Sequence, residues 1–354
     1  MNNFDKIKKA VAASGFDAIM ATSSENRMYA TGFHSTAGLA FVTADSAWFF
    51  TDSRYIEAAG NSIKGAKVIE VGNDYTYTKA VSELIISEKI EKLGFEDATM
   101  NVAEYLLWKE KLDVELIPAQ KLFTNLRMVK SREEVEMLIK AQRIAEKAFN
   151  EIIPMITTDI TEKELAAELV YRFMLNGAED KSFDPIIVSG PRSSMPHGVP
   201  TDNKVEKGFI TFDFGAKYQG WCSDTTRTLC VGQPTEEMRK VYYTVLEAQL
   251  AGIAIAKAGV NCKDVDKAAR DVIHNAGYGG RFGHGYGHGL GLEIHEDPRF
   301  SPTYDFILPA GAMMSAEPGI YIPGEFGVRI EDVIYITEDG CENITNLDKE
   351  LIIL

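Results

Sequence analysis

Hydrophobic residues along the first third of the chain recur at spacings that alternate between helix and strand. Phe4, Ile7 and Val11 fall at helical intervals and predict a first helix over 4–13, and the apolar run over 17–22 predicts a short strand. Strand-like runs follow over 39–43, 47–51 and 67–71, then a helix over 77–87, a strand near 92–95 and a helix over 102–112. The stretch after 115–118 reads as irregular. Ser131-Arg132-Glu133-Glu134 then supplies a capping box, in which hydroxyl and carboxylate satisfy the free N–H groups of a new helix. This sets a boundary near Val129 and divides the chain into 1–128 and 129–354.

Beyond the boundary the pattern changes to helix pairs followed by strand pairs, and it does so twice. A helix over 132–153 precedes one capped by Thr161 and Glu164 and stopped by Gly177; strands over 210–215 and 221–230 follow. The second round has helices over 236–258 and 263–275, stopped by Gly277, then extended segments from Gly289 onward. An α/β domain followed by an α+β domain is expected, the latter with two halves facing across a cleft. The repeat lies in element order alone, since the halves share no visible sequence.

Composition narrows the function. At 354 residues and 45% hydrophobic the chain is long enough for about two domains. Against 52 acidic residues stand 37 basic ones, and the net charge of −15 would repel a phosphate backbone, so no nucleic-acid partner is expected. No apolar run approaches the roughly 20 residues that span a bilayer, and the polar start over 1–9 has no signal-like stretch behind it. A cytoplasmic protein with no membrane partner is expected. Cys222, Cys230, Cys262 and Cys341 show no disulfide-framework spacing and read as reduced, packed thiols.

The chemistry concentrates in the second domain. Of six histidines, His197, His284, His288 and His295 fall in its loop and strand regions, three of them inside the glycine-rich run 283–295. Glycines at that density let backbone approach a ligand closely, while the imidazoles between them offer metal ligands or proton carriers. No G-x-G-x-x-G register and no H-E-x-x-H occurs. Asp213 and Asp224 each put a carboxylate into an apolar β-rich run, with 216–220 as the connection of a hairpin. Glu317 and Glu331 repeat the pattern near the end, and such acids are costly to bury unless paired or bound to metal. The plain alternatives are that Asp213 ends a strand in a turn, that Asp224 pairs with Arg227, and that Glu331 is an exposed edge residue or a partner of Arg329. Four carboxylates and an imidazole carry about four negative charges, which two divalent cations neutralise. Oxygen-rich ligation favours manganese first, with iron, cobalt or zinc as alternatives. A carboxylate-bridged pair of ions about 3.5–4 Å apart can hold a hydroxide, a nucleophile at neutral pH, which implies hydrolysis.

The order Asp213, Asp224, His288, Glu317, Glu331, with Ser-Asp-Thr-Thr-Arg-Thr around the second acid and Gly-His-Gly around the imidazole, resembles the pita-bread metallopeptidases. Pro196-His197-Gly198, His295-Glu296-Asp297-Pro298 and the leading domain resemble their Xaa-Pro branch, aminopeptidase P and prolidase. The resemblance implies a creatinase-like α/β domain over 1–128 and a pita-bread (creatinase/aminopeptidase-like) catalytic domain over 129–354. It implies that Asp213 and Asp224 hold one metal, that His288 and Glu317 hold the other, and that Asp224 and Glu331 bridge them. Glu317 is implied as general base, His197 and His295 as groups that contact substrate and stabilise the reacting centre, and His284 as a further substrate-side imidazole. Arg329 matches an arginine of the family's site. Arg299 matches one that prolidases use for the dipeptide carboxylate, although a surface arginine is the plain alternative.

The resemblance thus implies hydrolysis of Xaa-Pro dipeptides or short peptides by two divalent ions and their bridging hydroxide, in a chain that dimerises. A bond before proline lacks an N–H and carries a ring that clashes in ordinary extended sites, so a dedicated pocket is needed. Two alternatives share the ligand set or the fold: a methionine aminopeptidase-like exopeptidase, which the additional domain argues against, and a non-catalytic peptide- or protein-binding member, which the intact ligands argue against.

Overall fold

A computed structural model describes residues 2–354 and divides them into two compact units, with the break between Arg127 and Met128. The first unit is built on a six-stranded mixed sheet. In spatial order its strands are Lys67–Glu70, Ala47–Thr51, Leu39–Thr43, Ala18–Ala21, Lys92–Phe95 and Glu115–Pro118. Ala18–Ala21 runs antiparallel to Leu39–Thr43 (Ala18 opposite Thr43, Ala21 opposite Ala40) and parallel to Lys92–Phe95. All residues of the three strands Ala18–Ala21, Leu39–Thr43 and Ala47–Thr51 are buried, the signature of strands covered on both faces rather than one. Helices Phe4–Ala12, Tyr77–Ser87 and Val102–Lys111 occur where periodicity predicts them. The segment expected to be irregular after the last strand is instead the helix Gln120–Met128, whose mixed polar composition hides its buried positions Phe123, Arg127 and Met128.

In the second unit, helices Arg132–Ile152 and Glu162–Leu175 both start at capping boxes, Ser131 with Glu134 and Thr161 with Glu164. They pack on an antiparallel sheet ordered Thr225–Val231, Gly208–Phe214, Ile186–Ser189 through a core that includes Phe149, Phe212 and Phe214; the rings of Phe149 and Phe214 stack at 4.9 Å. Helices Glu236–Ile255 and Cys262–Ile273 cover the second sheet, ordered Glu296–Phe300, Gly287–Gly289, Met313–Ala316, Asp332–Ile336, Cys341–Asn343, over a separate core containing Tyr242, Tyr286 and Met314. A hairpin of Gly319–Ile322 and Phe326–Arg329 completes the β structure of this half. Helix pair and sheet therefore occur twice, each pair with its own core, matching the repeat of element order.

The connection expected over 216–220 is more elaborate than a loop. Ala216–Tyr218 and Trp221–Cys222 form a hairpin of their own before Thr225–Val231 returns to pair with Gly208–Phe214. Gln219 and Gly220 make its tight turn, with φ of +48° and +85°.

Candidate metal centre

All ten residues singled out from the sequence line one cavity of about 1030 Å³ in the second unit. Strand ends deliver them. Asp213 is the penultimate residue of Gly208–Phe214, opposite Thr226, and Asp224 stands one residue before Thr225–Val231. The two acids therefore do not oppose each other in a ladder; the second sits in the bend that leads into its strand. His288 is the centre of Gly287–Gly289, Glu317 follows Met313–Ala316, and Glu331 occupies the step between Phe326–Arg329 and Asp332–Ile336.

The glycines around His288 serve the fold rather than a ligand. A Cβ on Gly287 would lie 2.0 Å from the Ser315 carbonyl oxygen, and one on Gly289 would lie 2.6 Å from that of Asp297. The close approach they permit is between His288's strand and its two neighbours, and it sets the imidazole's depth.

Donor atoms of Asp224, His288 and Glu331 lie within 4.8 Å of one another. The Nδ1 of His288 is 3.0 Å from the Gly289 carbonyl, so that nitrogen carries the proton. Its Nε2 then faces two carboxylates, Glu317 Oε1 at 3.2 Å and Asp224 Oδ2 at 3.6 Å. A neutral imidazole would present a lone pair to anions there, an arrangement that a proton or an intervening cation reconciles. Two further atoms point the same way: the buried Oδ1 of Asp213 and Oε1 of Glu331 have no hydrogen-bond partner. Unpaired buried carboxylate oxygens are costly, and a divalent cation fits this donor set.

The electrostatics record the same conflict. Burial, then the charge of Glu331 and Asp213, holds the Asp224 carboxyl well above its ordinary range. Burial, then Glu317 and Asp213, does likewise for Glu331. Glu317 goes the other way: burial would raise it, but the hydrogen bond and charge of His288 and the charges of His284 and Arg329 outweigh that and bring it down to about 2. For His288 the same partner overcomes a desolvation that would lower it, and the imidazole is raised. Partial desolvation, and then His288, whose ring centroid is 4.4 Å from its own, lower His295 to about 4. It is therefore a neutral base at neutral pH.

The plain pairings considered for the acids do not occur. Arg227 bonds Asp332 at 2.8 Å, not Asp224, and also donates to the carbonyls of Thr226, Glu331, Leu347 and Asp348. Arg329 bonds Asp213 at 2.6 Å rather than Glu331, and its other donors go to Thr226 Oγ1, Pro196 O and Tyr321 Oη. Glu331 is only 1% exposed, not an edge residue. His197 lies in the exposed loop after Gly190–Ser194, and Arg299 is exposed, with Asp297 at a loose 3.8 Å.

Three neighbours escaped the sequence reading. Thr226 Oγ1 donates to Glu331 Oε2 at 2.8 Å, Ser315 Oγ lies 3.2 Å from Glu317 Oε1, and Tyr321 Oη lies 2.9 Å from both His284 Nε2 and Arg329 Nη1. Since His284 Nδ1 faces the Gly285 carbonyl at 2.9 Å, Nε2 is the acceptor and the tyrosine donates to it. Position gave a signal for two of them: Thr226 stands two residues after Asp224, and Ser315 two before Glu317.

Known proteins resemble the chain over nearly its whole length. The model of metallopeptidase family M24 matches residues 136–338, and that of the creatinase/prolidase N-terminal domain matches 4–129. The uncharacterized peptidase YqhT of Bacillus subtilis (strain 168) is 44% identical over 352 residues, covering 99% of both chains. The solved Xaa-Pro dipeptidase from Bacillus anthracis superimposes with a TM-score of 0.96 at 41% identity over 99% of each chain. The X-Pro aminopeptidase from Thermotoga maritima MSB8 gives 0.92 at 36% identity, over 98% of this chain and 100% of its own.

Proposed function

The chain belongs to metallopeptidase family M24, and from that premise we propose that it hydrolyses Xaa-Pro bonds in dipeptides or short peptides with two divalent metal ions. The observation that carries the reading is the cluster of Asp224, His288 and Glu331 donors within 4.8 Å, bordered by the unpaired oxygens of Asp213 and Glu331. Asp213 and Asp224 would hold one ion, His288 and Glu317 the other, with Asp224 and Glu331 shared. Manganese suits this oxygen-rich set, ahead of cobalt, zinc or iron. When bound, the ions supply charge compensation and Lewis acidity toward the scissile carbonyl and the attacking water.

The chain's own groups do the rest. Glu317, ionised at neutral pH, takes the proton of the attacking water. His295, neutral at that pH, and His197 face the substrate and hydrogen-bond the reacting carbonyl and leaving nitrogen. His284, held by Tyr321 and Gly285, keeps one fixed tautomer on the substrate side. Arg329 acts by positioning, because its donors are committed to Asp213, Thr226, Tyr321 and Pro196. Arg299 offers an exposed guanidinium for a dipeptide's terminal carboxylate. We assign 1–128 as the N-terminal domain and 129–354 as the catalytic one, in a cytoplasmic homodimer; the four free thiols suit a reducing compartment.

The test is a side-by-side assay of an Xaa-Pro dipeptide and an Xaa-Pro tripeptide with manganese, cobalt and zinc, alongside calorimetric ion titration. About two ions per chain and strictly metal-dependent cleavage are expected; tight ion binding without cleavage would instead favour a peptide-binding member of the fold. Arg299→Ala should raise KM for the dipeptide several-fold more than for the tripeptide. An equal effect on both would remove Arg299 from carboxylate recognition.

A further inference from the structure

Lys130 and Glu296 form an ion pair at 2.8 Å with side-chain exposures of only 1% and 5%. Burying two charges costs several kcal/mol unless the geometry compensates, so such a pair is weak as a stability device and calls for another account. Its surroundings supply one.

The Glu296 carboxylate lies beneath the connection between His288's strand and its own. Its Oε1 accepts the Glu293 N–H at 3.1 Å, and a Cβ on Gly291 would stand 2.7 Å from both its oxygens, so the chain over 290–295 is folded directly onto it. Gly289 pairs with Glu296 across a register irregularity, which makes those six residues a closed loop. His295 is the last of them.

Successive residues of an extended strand face opposite sides. At the entrance to Glu296–Phe300 the pattern is strict: Glu296 buried, Asp297 half-buried, Pro298 buried, Arg299 exposed. His295, immediately before, is exposed and lines the cavity. Pinning Glu296 inward therefore sends His295 outward, where its ring meets that of His288 at 4.4 Å and 70°. The pin is itself fixed. The Lys130 backbone N–H donates to Gly311 at 2.9 Å, and the next residue, Ser131, caps the helix Arg132–Ile152.

We propose that the buried Lys130–Glu296 pair is the positioning device for His295: it ties the segment that opens the catalytic unit to the loop that presents this imidazole to substrate. The geometric half stands on its own, and the catalytic half rests on the peptidase reading above.

Glu296→Gln tests it, because the amide oxygen still accepts from Glu293 while the charge is lost. Hydrogen exchange of the metal-free protein should quicken about tenfold or more over 287–300 and remain unchanged in the helix Glu236–Ile255. With manganese, kcat on an Xaa-Pro dipeptide should fall about tenfold with KM little changed. In a His295→Ala background the same substitution should cost less than about twofold, since the two changes act on one element. Uniformly faster exchange, or equal losses in both backgrounds, would overturn the proposal. Lys130→Met combined with Glu296→Gln covers the case in which the single substitution prevents folding. That double variant should fold yet keep the fast local exchange, and recovery of native exchange and kcat in it would equally overturn the proposal. If the unaltered protein cleaves no Xaa-Pro dipeptide, the peptidase reading fails, while the exchange comparison still decides what the ion pair does.

Discussion

Each unit of the molecule buries a carboxylate next to arginine and hydroxyl groups, and the two are arranged in opposite ways. In the first unit Glu96 is fully buried and surrounded by donors: Thr22 and Ser23 give it their backbone N–H groups and hydroxyls, and Asn26 gives its amide. In the second unit Asp224, Glu317 and Glu331 face one another and a single imidazole, with carboxylate oxygens left unpaired at Asp213 and Glu331. A buried acid that has collected donors is part of the scaffold. A group of buried acids short of donors is incomplete as protein and becomes complete with a cation. Even adjacent residues divide this way: Asp332 is held low, against its burial, by Arg227 and Lys349, while Glu331 beside it is pushed up.

The sharpest way to break the contrast is Glu331→Gln. Turnover should drop by about a thousandfold or more, with ion stoichiometry below that of the unaltered chain, if Glu331 is the shared ligand proposed above. Metal-free stability should nevertheless hold or rise, since a carboxyl whose ionisation the interior opposes is replaced by a neutral amide. Urea melts with and without manganese read both effects, and a metal-free protein that is clearly weakened would place Glu331 with Glu96 as scaffold.

Glu96→Gln should behave in reverse. The amide must turn an N–H group toward donors, at a cost of about 1–3 kcal/mol of stability, while ion binding by the catalytic unit stays as it was. Loss of ions in that variant, judged by calorimetry, would contradict a purely structural role.

The most diffuse effect is in pH. Asp224 and Glu331 have folded-state pKa values above their unfolded ones, so from about pH 4 upward the metal-free folded chain holds more protons than the unfolded chain. Its stability should fall as pH rises toward neutrality, by at most about 1.4 kcal/mol per pH unit for each proton retained. Glu317 contributes the opposite sign, but only between its unfolded value near 4.5 and about 2, where its contribution is lost on acidification. Saturating manganese should flatten the slope above pH 5, and a slope indifferent to metal would remove the acid cluster as its source.

Much of this was legible in the residues. Helix starts were, because a capping box is a local device: Ser131 with Glu134 and Thr161 with Glu164 need nothing from the rest of the chain. The acids were legible as an anomaly, since Asp213 and Asp224 interrupt apolar runs. Their partners were not. Arg227 and Arg329 each had a nearby acid in sequence, and each bonds one over a hundred positions away, Asp332 and Asp213. The purpose of Gly287 and Gly289 was hidden for the same reason, because the backbone they admit comes from strands that sequence does not place beside them. Gln120–Met128 was missed because only two buried apolar side chains in a short polar helix make a weak periodic signal.

The Arg227 network reaches further along the chain than the cavity does. Its guanidinium braces the Glu331 carbonyl while leaning on the carbonyls of Leu347 and Asp348, and Lys349 reaches back to Asp332 at 2.7 Å. On a translating ribosome every candidate ligand from Asp213 to Glu331 therefore emerges before the segment over 347–349 that braces the backbone around Glu331. The nascent polypeptide carries its acids unsupported until the segment over 347–349 is free to fold back, so the site matures after its last candidate ligand has been made.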